Sequence, residues 1–453
     1  MLSILKGNLT YILPDRLQID ENIVPFHYIQ NQVIRDQSTH HVTLIGKNEL
    51  NLTRSQMKAL SVKLKQFPNW DKLETLGIGR VQKDNEEVYY YVVVWPVGNL
   101  FRRNLGLQSK YLHVTLGFKY VDIHNVNKGI TTLLKGTIRP EIVSFLSSIY
   151  RKTIDSDEQM YKEFLDILNL VSDNCDSMNF KDRTLLLTLR SKIYYRLKQI
   201  ENSLEDCLEL EKINPNDFDN RLRISHLYNI QDKIYTALNR YKDILDDIEV
   251  SEEHIEKALD GVNLCHKKMR TIVNPRVRHV VEFDNRSVRL SRNFSWVIPD
   301  KLAGISIPKK EEEIDAFEYM NIGLIVSVLE EEKLPKKWFK NRNIRNIHYK
   351  VKNYHPPSFE EMVEIINQME NTIRDGKGVV VHCGGGKGRA GTVLACFVLK
   401  NGLDGDVCNL TPHKTGKAAI ELIRELRPGS IETNRQEDFI KEYGNYLWKN
   451  MNS

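Results

Sequence analysis

The sequence predicts a multidomain protein of mixed α+β and α/β class, with a β-rich N-terminal segment, a helical middle and an α/β C-terminal segment. The chain has 453 residues, which is too long for one hydrophobic core and indicates about three domains at roughly 150 residues each. Hydrophobic residues make up 41% and charged residues 28% of the chain, an ordinary composition for a folded globular protein. The apolar pattern changes to helical spacing near residue 139 and to alternating strands and helices near residue 280.

Membrane spans and export are excluded as leading interpretations. No apolar run approaches the roughly 20 residues that a transmembrane helix needs, and the N-terminus lacks the features of a signal peptide. The six cysteines are scattered, with no CxxC pair, which indicates a reducing compartment and neither a disulfide framework nor a zinc site. We therefore expect a cytoplasmic and/or nuclear protein.

Residues 1–130 form the first predicted domain. Its strand candidates are rich in β-branched and aromatic residues and are bounded by Gly, Asn or Pro. They are His41–Ile45, Val88–Val94 and His113–Phe118.

Two of these strands begin with the same motif, His-Val-Thr-Leu. Because side chains at i and i+2 share one face of a strand, His41 stands beside Thr43 and His113 stands beside Thr115. Two such strands facing each other would place two imidazoles and two hydroxyls around one phosphate. One imidazole can take a proton from water while the other protonates the departing oxygen. The paired motifs resemble the 2H phosphoesterase superfamily, which implies a two-lobed β-sheet domain that opens 2′,3′-cyclic phosphates.

Residues 139–272 are predicted to be helical. Thr184–Asp217 and the 34 residues that follow share small and aromatic residues at the same offsets, which resembles degenerate tetratricopeptide repeats. Such an array either packs as a spacer, which we favour, or offers a concave surface to a protein partner.

Residues 280–453 form the third predicted domain, an α/β layer structure. Ile322–Leu329 and Gly378–His382 are predicted as buried parallel strands, and Ser358–Ile373 and Gly391–Lys400 as helices, the second ended by Gly402.

The strand ending at His382 and Cys383 runs into a glycine-rich loop and a helix. Successive glycines let backbone N–H groups turn inward around an anion, and the helix N-terminus adds its dipole. Arg389 can hold a phosphate with two parallel hydrogen bonds, and the same field favours a Cys383 thiolate that can attack phosphorus. The residues expected to bind the phosphate through the loop are Gly384, Gly385, Gly386, Lys387 and Gly388.

The surrounding chain resembles the small atypical dual-specificity group of cysteine-dependent phosphatases. Asn293–Gly304 is similar to the opening segment of that group, the strand at Ile325 to its early core strand, and Arg427–Thr433 followed by Gln436 to its closing segment. The resemblance implies that Cys383 forms a phosphocysteine, that Arg389 and the loop hold the phosphoryl group, and that His382 and Gln436 support them. It implies no metal and no cofactor.

Two positions depart from the pattern of that group. The usual general-acid Asp is replaced by Asn353, which cannot donate a proton as an acid does, and the hydroxyl residue after the loop arginine is replaced by Ala390. Three explanations stay open: the leaving group needs little protonation, His355 acts as a substitute acid, or turnover is slow.

The two motif sets in one chain resemble the Swiss Army Knife RNA-repair-like proteins. That resemblance implies an enzyme whose first domain opens a terminal 2′,3′-cyclic phosphate and whose last domain removes a terminal phosphate. RNA 3′ ends or nucleotides are the expected substrates, and the basic stretches Lys333–Lys350 and Lys267–Arg292 would contact the RNA backbone.

Two other functions fit the same residues. One is a dual-specificity phosphatase of proteins or inositol phosphates, in which the N-terminal and helical segments recruit partners. The other takes Asn353 and Ala390 as signs of a phosphate-binding scaffold without turnover. The patterns leave open which phosphate position is attacked and what oligomer forms.

Overall fold

The structure is a computed structural model that describes residues 1–13, 17–124, 126–151, 157–174, 178–270, 278–403 and 415–451. The chain forms two compact units, residues 1–216 and residues 217–453. Among the described residues, no helix is both long enough and apolar enough to cross a membrane.

The first unit contains two small antiparallel sheets and a set of helices. Its strands and helices, numbered in chain order, are β1 (Leu2–Leu5), β2 (Asn8–Ile12), α1 (Phe26–Asp36), β3 (His41–Ile45), α2 (Arg54–Lys65), β4 (Glu74–Lys83), β5 (Glu86–Val94), α3 (Pro96–Asn104), β6 (Leu112–Phe118), α4 (Ile142–Tyr150), α5 (Glu158–Asn174), α6 (Phe180–Arg196) and α7 (Ile200–Ile213).

One sheet has the order β1-β2-β3 and the other the order β4-β5-β6, and β3 lies beside β6. This arrangement confirms the three strands predicted from residues 1–130, with β5 starting two residues and β6 one residue earlier than expected. On one face of the second sheet, Tyr90 and Val92 pack against Phe164 and Leu168 of α5 in a continuous apolar core. The helices α4 to α6 therefore cover one face of the β4-β5-β6 sheet.

The second unit combines three helices with an α/β layer structure. Its elements are α8 (Phe218–Ile230), α9 (Ile234–Leu245), α10 (Glu252–Arg270), β7 (Val280–Phe283), β8 (Arg286–Arg289), β9 (Ser295–Ile298), β10 (Leu302–Ser306), α11 (Glu312–Tyr319), β11 (Ile322–Val328), β12 (Arg345–Tyr349), α12 (Phe359–Arg374), β13 (Gly378–Cys383), α13 (Gly388–Asn401), α14 (Gly416–Leu426) and α15 (Asn434–Met451).

A five-stranded sheet of order β12-β11-β13-β10-β9 organises this unit. The central strands β11 and β13 are parallel and fully buried, as predicted. Ser358 caps α12 with a capping box, and Gly402 at φ 70° ends α13, again as predicted. The helix α13 begins at Gly388, three residues before the expected Gly391, because the end of the glycine loop already takes helical conformation.

The predicted helical repeat is visible in two similar helix pairs, α6 with α7 and α8 with α9. The turns inside the pairs carry Lys198 at φ 59° and Asp232 at φ 57°, which are 34 residues apart. Ser191 and Ser225, also one repeat apart, are both fully buried. The first pair belongs to residues 1–216 and the second to residues 217–453. The tetratricopeptide assignment and the boundaries of the three predicted domains stay predictions.

Candidate functional sites

The two HxT motifs lie on neighbouring strands of the first unit. In β3, His41 and Thr43 are half-buried and alternate with the fully buried Val42 and Leu44. In β6, His113 and Thr115 alternate in the same way with buried residues. The strand β3 lies beside β6. The four polar side chains of the two motifs therefore project from two neighbouring strands.

A buried charge cluster centred on Asp122 adjoins these motifs. Its carboxylate accepts hydrogen bonds from Thr115 Oγ1 at 3.1 Å, Arg35 Nη1 at 2.7 Å and Lys128 Nζ at 2.8 Å. Asp122 and Lys128 are both almost completely buried. An ion pair that is buried and saturated with hydrogen bonds is held in one geometry, because separating its members leaves an uncompensated charge. The cluster therefore fixes Thr115 and two cations next to the histidines.

Both histidines are held in the neutral form by their surroundings. Burial, and after it the charge of Lys128, lowers the pKa of His113 to about 3. Burial also lowers the pKa of His41, on which Asp36 and Arg35 act in opposite directions. The pKa values of both rings respond to the charge of Asp122, which indicates that they share one electrostatic environment. A bound phosphate anion would raise both pKa values again, so the substrate itself helps one ring to carry a proton.

Asp122 stays ionised in this cluster. Burial alone would raise the pKa of its carboxyl, but Lys128 and Arg35 outweigh that effect and lower it to about 2. Arg35 is also paired with Asp36, so the cluster sets two cations, Arg35 and Lys128, against two carboxylates, Asp36 and Asp122.

In the second unit, the loop between β13 and α13 can take only glycine at one position. Gly386 has φ 73°, and a Cβ atom there would lie 2.4 Å from the backbone of Ile305. The loop therefore passes against the backbone of β10 at a distance that no side chain allows.

The carbonyl groups of this loop point away from its interior. The carbonyl oxygen of Gly384 accepts from Ile307 N at 3.3 Å, that of Gly385 from Asn293 Nδ2 at 2.8 Å and that of Gly386 from Arg427 Nη2 at 2.7 Å. Because the C=O and N–H groups of a planar trans peptide point in opposite directions, the following N–H groups turn inward. This geometry is that of the predicted nest, and its binding of an anion stays a prediction.

Cys383 and Arg389 lie at the two ends of this nest. Cys383 ends the buried strand β13, and Arg389 occupies the first turn of α13. A Cβ atom built on Gly384 would lie 3.5 Å from Arg389 Nη2, so the guanidinium reaches back beneath the loop. Arg389 Nη1 is held by the Val351 carbonyl at 2.9 Å, which leaves the other side of the guanidinium for a phosphate.

His382 anchors the start of the loop. It is fully buried, and its Nε2 lies 2.6 Å from Ser327 Oγ. The Ser327 hydroxyl also accepts from Asn346 Nδ2 at 2.7 Å. Burial lowers the pKa of His382 to about 3, so the ring is neutral. It supports the loop through its hydrogen bond to Ser327 and not through a charge.

The sequence of each region matches a known family model. Residues 4–124 match the model described as Swiss Army Knife, 2H phosphoesterase domain, and residues 291–440 match the model described as Swiss Army Knife protein, DSP-PTPase phosphatase domain. The chain joins two Swiss Army Knife domains. These domains are those of enzymes that hydrolyse phosphate esters, and the predicted order of a 2H domain, a helical middle region and a phosphatase domain is confirmed.

Individual relatives cover parts of the chain. An uncharacterised protein of Methanocaldococcus jannaschii is 33% identical over 101 residues, which are 22% of this chain and 60% of that protein. The dual specificity protein phosphatase CDC14A of Mus musculus is 28% identical over 171 residues, 34% of this chain and 26% of that protein. The chain therefore spans less than two thirds of the length of these curated relatives. The crystal structure of Tk-PTP in its active form is 26% identical over 34% of this chain and 97% of its own, with a TM-score of 0.29.

A carboxylate forms an ion pair with Arg389, the arginine of the phosphatase loop. Glu331, just after β11, accepts from Arg389 Nη1 at 2.7 Å, and this bond lowers the pKa of the Glu331 carboxyl against the opposing effect of burial. The side chain of Glu331 is 48% exposed, so the carboxylate sits at the open side of the loop. The sequence pattern alone assigns this glutamate no role.

His355 is directed toward the closing segment of the phosphatase domain. Its Nε2 faces Arg435 Nη1 at 2.7 Å and its Nδ1 faces the Asn353 carbonyl at 2.9 Å. An arginine only donates hydrogen bonds, so Nε2 accepts and the ring proton sits on Nδ1. In this arrangement His355 directs no proton toward a leaving group, and its role as general acid stays a prediction.

Gln436 and Lys387 also take definite positions at the loop. Gln436 Oε1 accepts from the N–H group of Glu432 at 2.8 Å, while its Nε2 would lie 3.0 Å from a Cβ atom on Gly388. The amide is thus fixed at one end and faces the loop at the other. Lys387 Nζ lies 3.5 Å from the position that a Cβ atom on Gly429 would take. The side chain of Lys387 therefore places its charge next to the closing segment.

Several functional residues were not found from the sequence. Asp122, Lys128 and Arg35 carry no motif and come together only because α1 and the segment after β6 meet at the HxT strands. Arg427 belongs to the predicted closing segment, but the sequence gives no sign that it binds the carbonyl group of Gly386 in the loop, 41 positions away.

Proposed function

We propose that this protein heals RNA ends in two successive steps. The 2H domain opens a terminal 2′,3′-cyclic phosphate to a monoester, and the phosphatase domain then removes the phosphate. The observation that carries this proposal is that one chain holds two candidate anion sites of different chemistry. One consists of paired neutral imidazoles beside a buried cluster of ion pairs, and the other of a thiol at a loop whose carbonyl groups are bonded outward.

In the first step, water attacks phosphorus and one P–O bond of the ring breaks. One neutral imidazole of His41 and His113 takes the proton of the water, and the other, protonated when the anionic substrate is bound, gives a proton to the departing ribose oxygen. Arg35 and Lys128 balance the charge on the non-bridging oxygens. Both rings are neutral at pH 7, so either has a free nitrogen for the proton, and the bound anion raises the pKa of the ring that accepts it.

In the second step, the Cys383 thiolate attacks the phosphorus of the monoester. A P–S bond forms, the P–O bond to the ribose breaks, and the leaving oxygen takes a proton from solvent or from a residue near the loop. Water then hydrolyses the phosphocysteine, releasing inorganic phosphate and restoring the thiolate. The inward N–H groups of the loop and the free side of Arg389 hold the three equatorial oxygens throughout.

A basic surface beside the loop supports an RNA substrate. The parallel strands β11, β12 and β13 end at the same edge of the sheet, where Cys383 lies. The exposed Lys333 lies in the segment after β11, and the exposed Lys350 directly follows β12. Both charges lower the pKa of His348 in β12, after burial. Lysines placed at the edge that carries the nucleophile are suited to neutralise backbone phosphates.

A single RNA carrying a 2′,3′-cyclic phosphate tests both steps. Wild type should convert it through a monoester to a free hydroxyl end, which gel shift and phosphate release both measure. His113→Ala should leave the ring closed yet still dephosphorylate an RNA monoester, whereas Cys383→Ser should stop at the monoester. His27→Ala changes an exposed histidine of the same domain and should behave as wild type. Normal ring opening by both His41→Ala and His113→Ala would show that the division of labour is wrong.

The dual-specificity likeness favours a second candidate for the phosphatase domain. The name of the mouse relative, a dual specificity protein phosphatase, makes a phosphoprotein the alternative substrate. Phosphopeptides and inositol phosphates therefore belong in the same panel, beside RNA with 2′-, 3′- and 5′-phosphates. A rate on a phosphopeptide or inositide at least equal to that on RNA ends would favour the alternative.

A further inference from the structure

A cavity of about 190 Å³ lies beside the HxT strands of the 2H domain, between β5 and α5. No residue of the two HxT motifs lines this cavity. We propose that this cavity binds the nucleobase of the terminal nucleotide, so that α5 of the helical region forms part of the substrate site. The proposal rests on the proposed ring-opening activity and names the part of the substrate that the motifs leave unassigned.

The strand register places the cavity next to His113. Val92 of β5 is the direct cross-strand partner of His113, and opposite residues of an antiparallel pair project from the same face. Val92 lines the cavity, and so do Lys110 and Tyr111, which immediately precede β6. The charge of Lys110 also lowers the pKa of His113, after burial and Lys128. A phosphate at His113 therefore has this cavity as its immediate neighbour.

The walls offer the apolar and aromatic surfaces against which a nucleobase packs. Val92, Val94, Ile130 and Phe164 form apolar sides. The ring of Tyr111, which is 39% exposed, is available as a stacking surface. The volume is below the range of about 300 to 1,000 Å³ that drug-sized ligands occupy, so the cavity fits a single base rather than a longer stretch of chain.

The packing of the Tyr111 ring requires a glycine at position 129. A Cβ atom on Gly129 would lie 2.4 Å from Tyr111 Cδ2. Gly129 follows Lys128, which belongs to the ion-pair cluster beside His41 and His113. The same short segment therefore sets both the cation for the phosphate and the position of the aromatic ring.

Polar groups of α5 and α3 stand at the rim of the cavity. Glu163 is held by Arg103 Nη1 at 2.7 Å and by Asn99 Nδ2 at 3.2 Å. Asp166, by contrast, has no hydrogen bond or ion pair within the part of the chain that the structure describes, and burial raises its pKa. A free carboxylate accepts hydrogen bonds from an exocyclic amine, as acidic residues do from cytosine. The rim therefore favours bases that carry an amino group over uracil.

Blocking the rim tests the proposal. Asp166→Trp should raise the KM of the full-length protein for 2′,3′-cyclic CMP about tenfold or more, since stacking of one base is worth that much. It should bring the value close to that of methyl ribofuranoside 2,3-cyclic phosphate, which has no base. Asp173→Trp makes the same change at an exposed position later on α5 and should leave the KM as in wild type. Asp166→Asn should reduce the preference for cyclic CMP over cyclic UMP.

Two outcomes overturn the proposal, and a separate one bears on the proposed activity. An equal KM of wild type for cyclic CMP and the base-free ring, or an equal rise of KM in both Trp variants, would show that the cavity takes no base. If wild type opens neither substrate, the proposed activity fails, and calorimetric titration with cytidine 3′-monophosphate then decides about the cavity. Binding by Asp173→Trp but not by Asp166→Trp would support the pocket, and equal binding by both would refute it.

Discussion

Each site contains a carboxylate that engages the same cation a phosphate would use. In the 2H domain Asp122 binds Lys128 and Arg35, and in the phosphatase domain Glu331 binds Arg389. The two carboxylates differ in burial. Asp122 is almost fully buried, whereas the side chain of Glu331 is 48% exposed. We therefore expect Asp122 to be a permanent part of its site, and Glu331 to give up its bond to Arg389 Nη1 when an anion enters.

Removing the charge of Glu331 tests this distinction. Glu331→Gln should lower the inhibition constant of orthovanadate about two- to fivefold, because an exposed ion pair of this kind is worth less than about 1 kcal/mol. Phosphatase assays with increasing vanadate measure the effect. Glu330→Gln alters the neighbouring exposed carboxylate and should leave inhibition unchanged. Weaker vanadate binding by Glu331→Gln would instead mean that the carboxylate positions Arg389.

At the scale of elements, the strand-loop-helix unit from β13 to α13 forms the phosphatase site. The strand is buried along its whole length and the helix is buried at nearly every position, so neither end of the loop can move. Partners from three other segments, Ile307, Asn293 and Arg427, hold its carbonyls. The anion site is therefore formed before any ligand arrives, which is how electrostatic stabilisation avoids reorganisation during the reaction.

Two glycines with similar φ angles allow the effect of close packing in the loop to be distinguished from the effect of backbone strain. Gly376 has φ 75° and open space around it, whereas Gly386 has φ 73° and faces the backbone of β10. Gly376→Ala should cost about 1 to 2 kcal/mol through its left-handed conformation alone. Gly386→Ala should cost about 1 to 3 kcal/mol more through overpacking, and should abolish vanadate binding. Thermal unfolding and vanadate titration of both variants measure this, and equal behaviour would contradict the packing argument.

At the scale of the whole molecule, each compact unit buries at least one histidine in the neutral form. Burial lowers the pKa of His113 to about 3 in the first unit, and that of His382 to about 3 and His279 to about 4 in the second. In the unfolded chain these rings have a pKa of about 6.5. Below that value the unfolded state binds more protons, so the folded state loses stability as the pH falls toward the folded pKa.

Mild acid should therefore destabilise both units. From pH 7 to pH 5, each histidine with a folded pKa of about 3 removes on the order of 2 kcal/mol of the free energy of unfolding. Calorimetry of the full chain at the two pH values measures the fall in Tm. His113→Gln should reduce the pH dependence of the first unit, and His27→Gln, at an exposed position, should not. A Tm that stays constant between pH 7 and pH 5 would contradict the prediction.

Much of the fold was predictable because its signals are local. The alternation of His41 and His113 with buried valines identified β3 and β6, and the hydrophobic run before Cys383 identified β13. Ser358 and Gly402 marked the ends of helices through capping. Such patterns are short enough to be read without knowing which elements meet in space.

The sequence by itself determined the candidate reactive groups, the paired imidazoles and the thiol at its glycine loop, because each group lies in a short contiguous motif. Only the tertiary structure decided what surrounds them. Asp122 with its two cations, Glu331 against Arg389, and α5 beside His113 are all contacts between residues distant in the chain. The sequence does not reveal which charged side chains will pair with each other. The energy of an ion pair depends on burial and distance, and only the folded chain sets these.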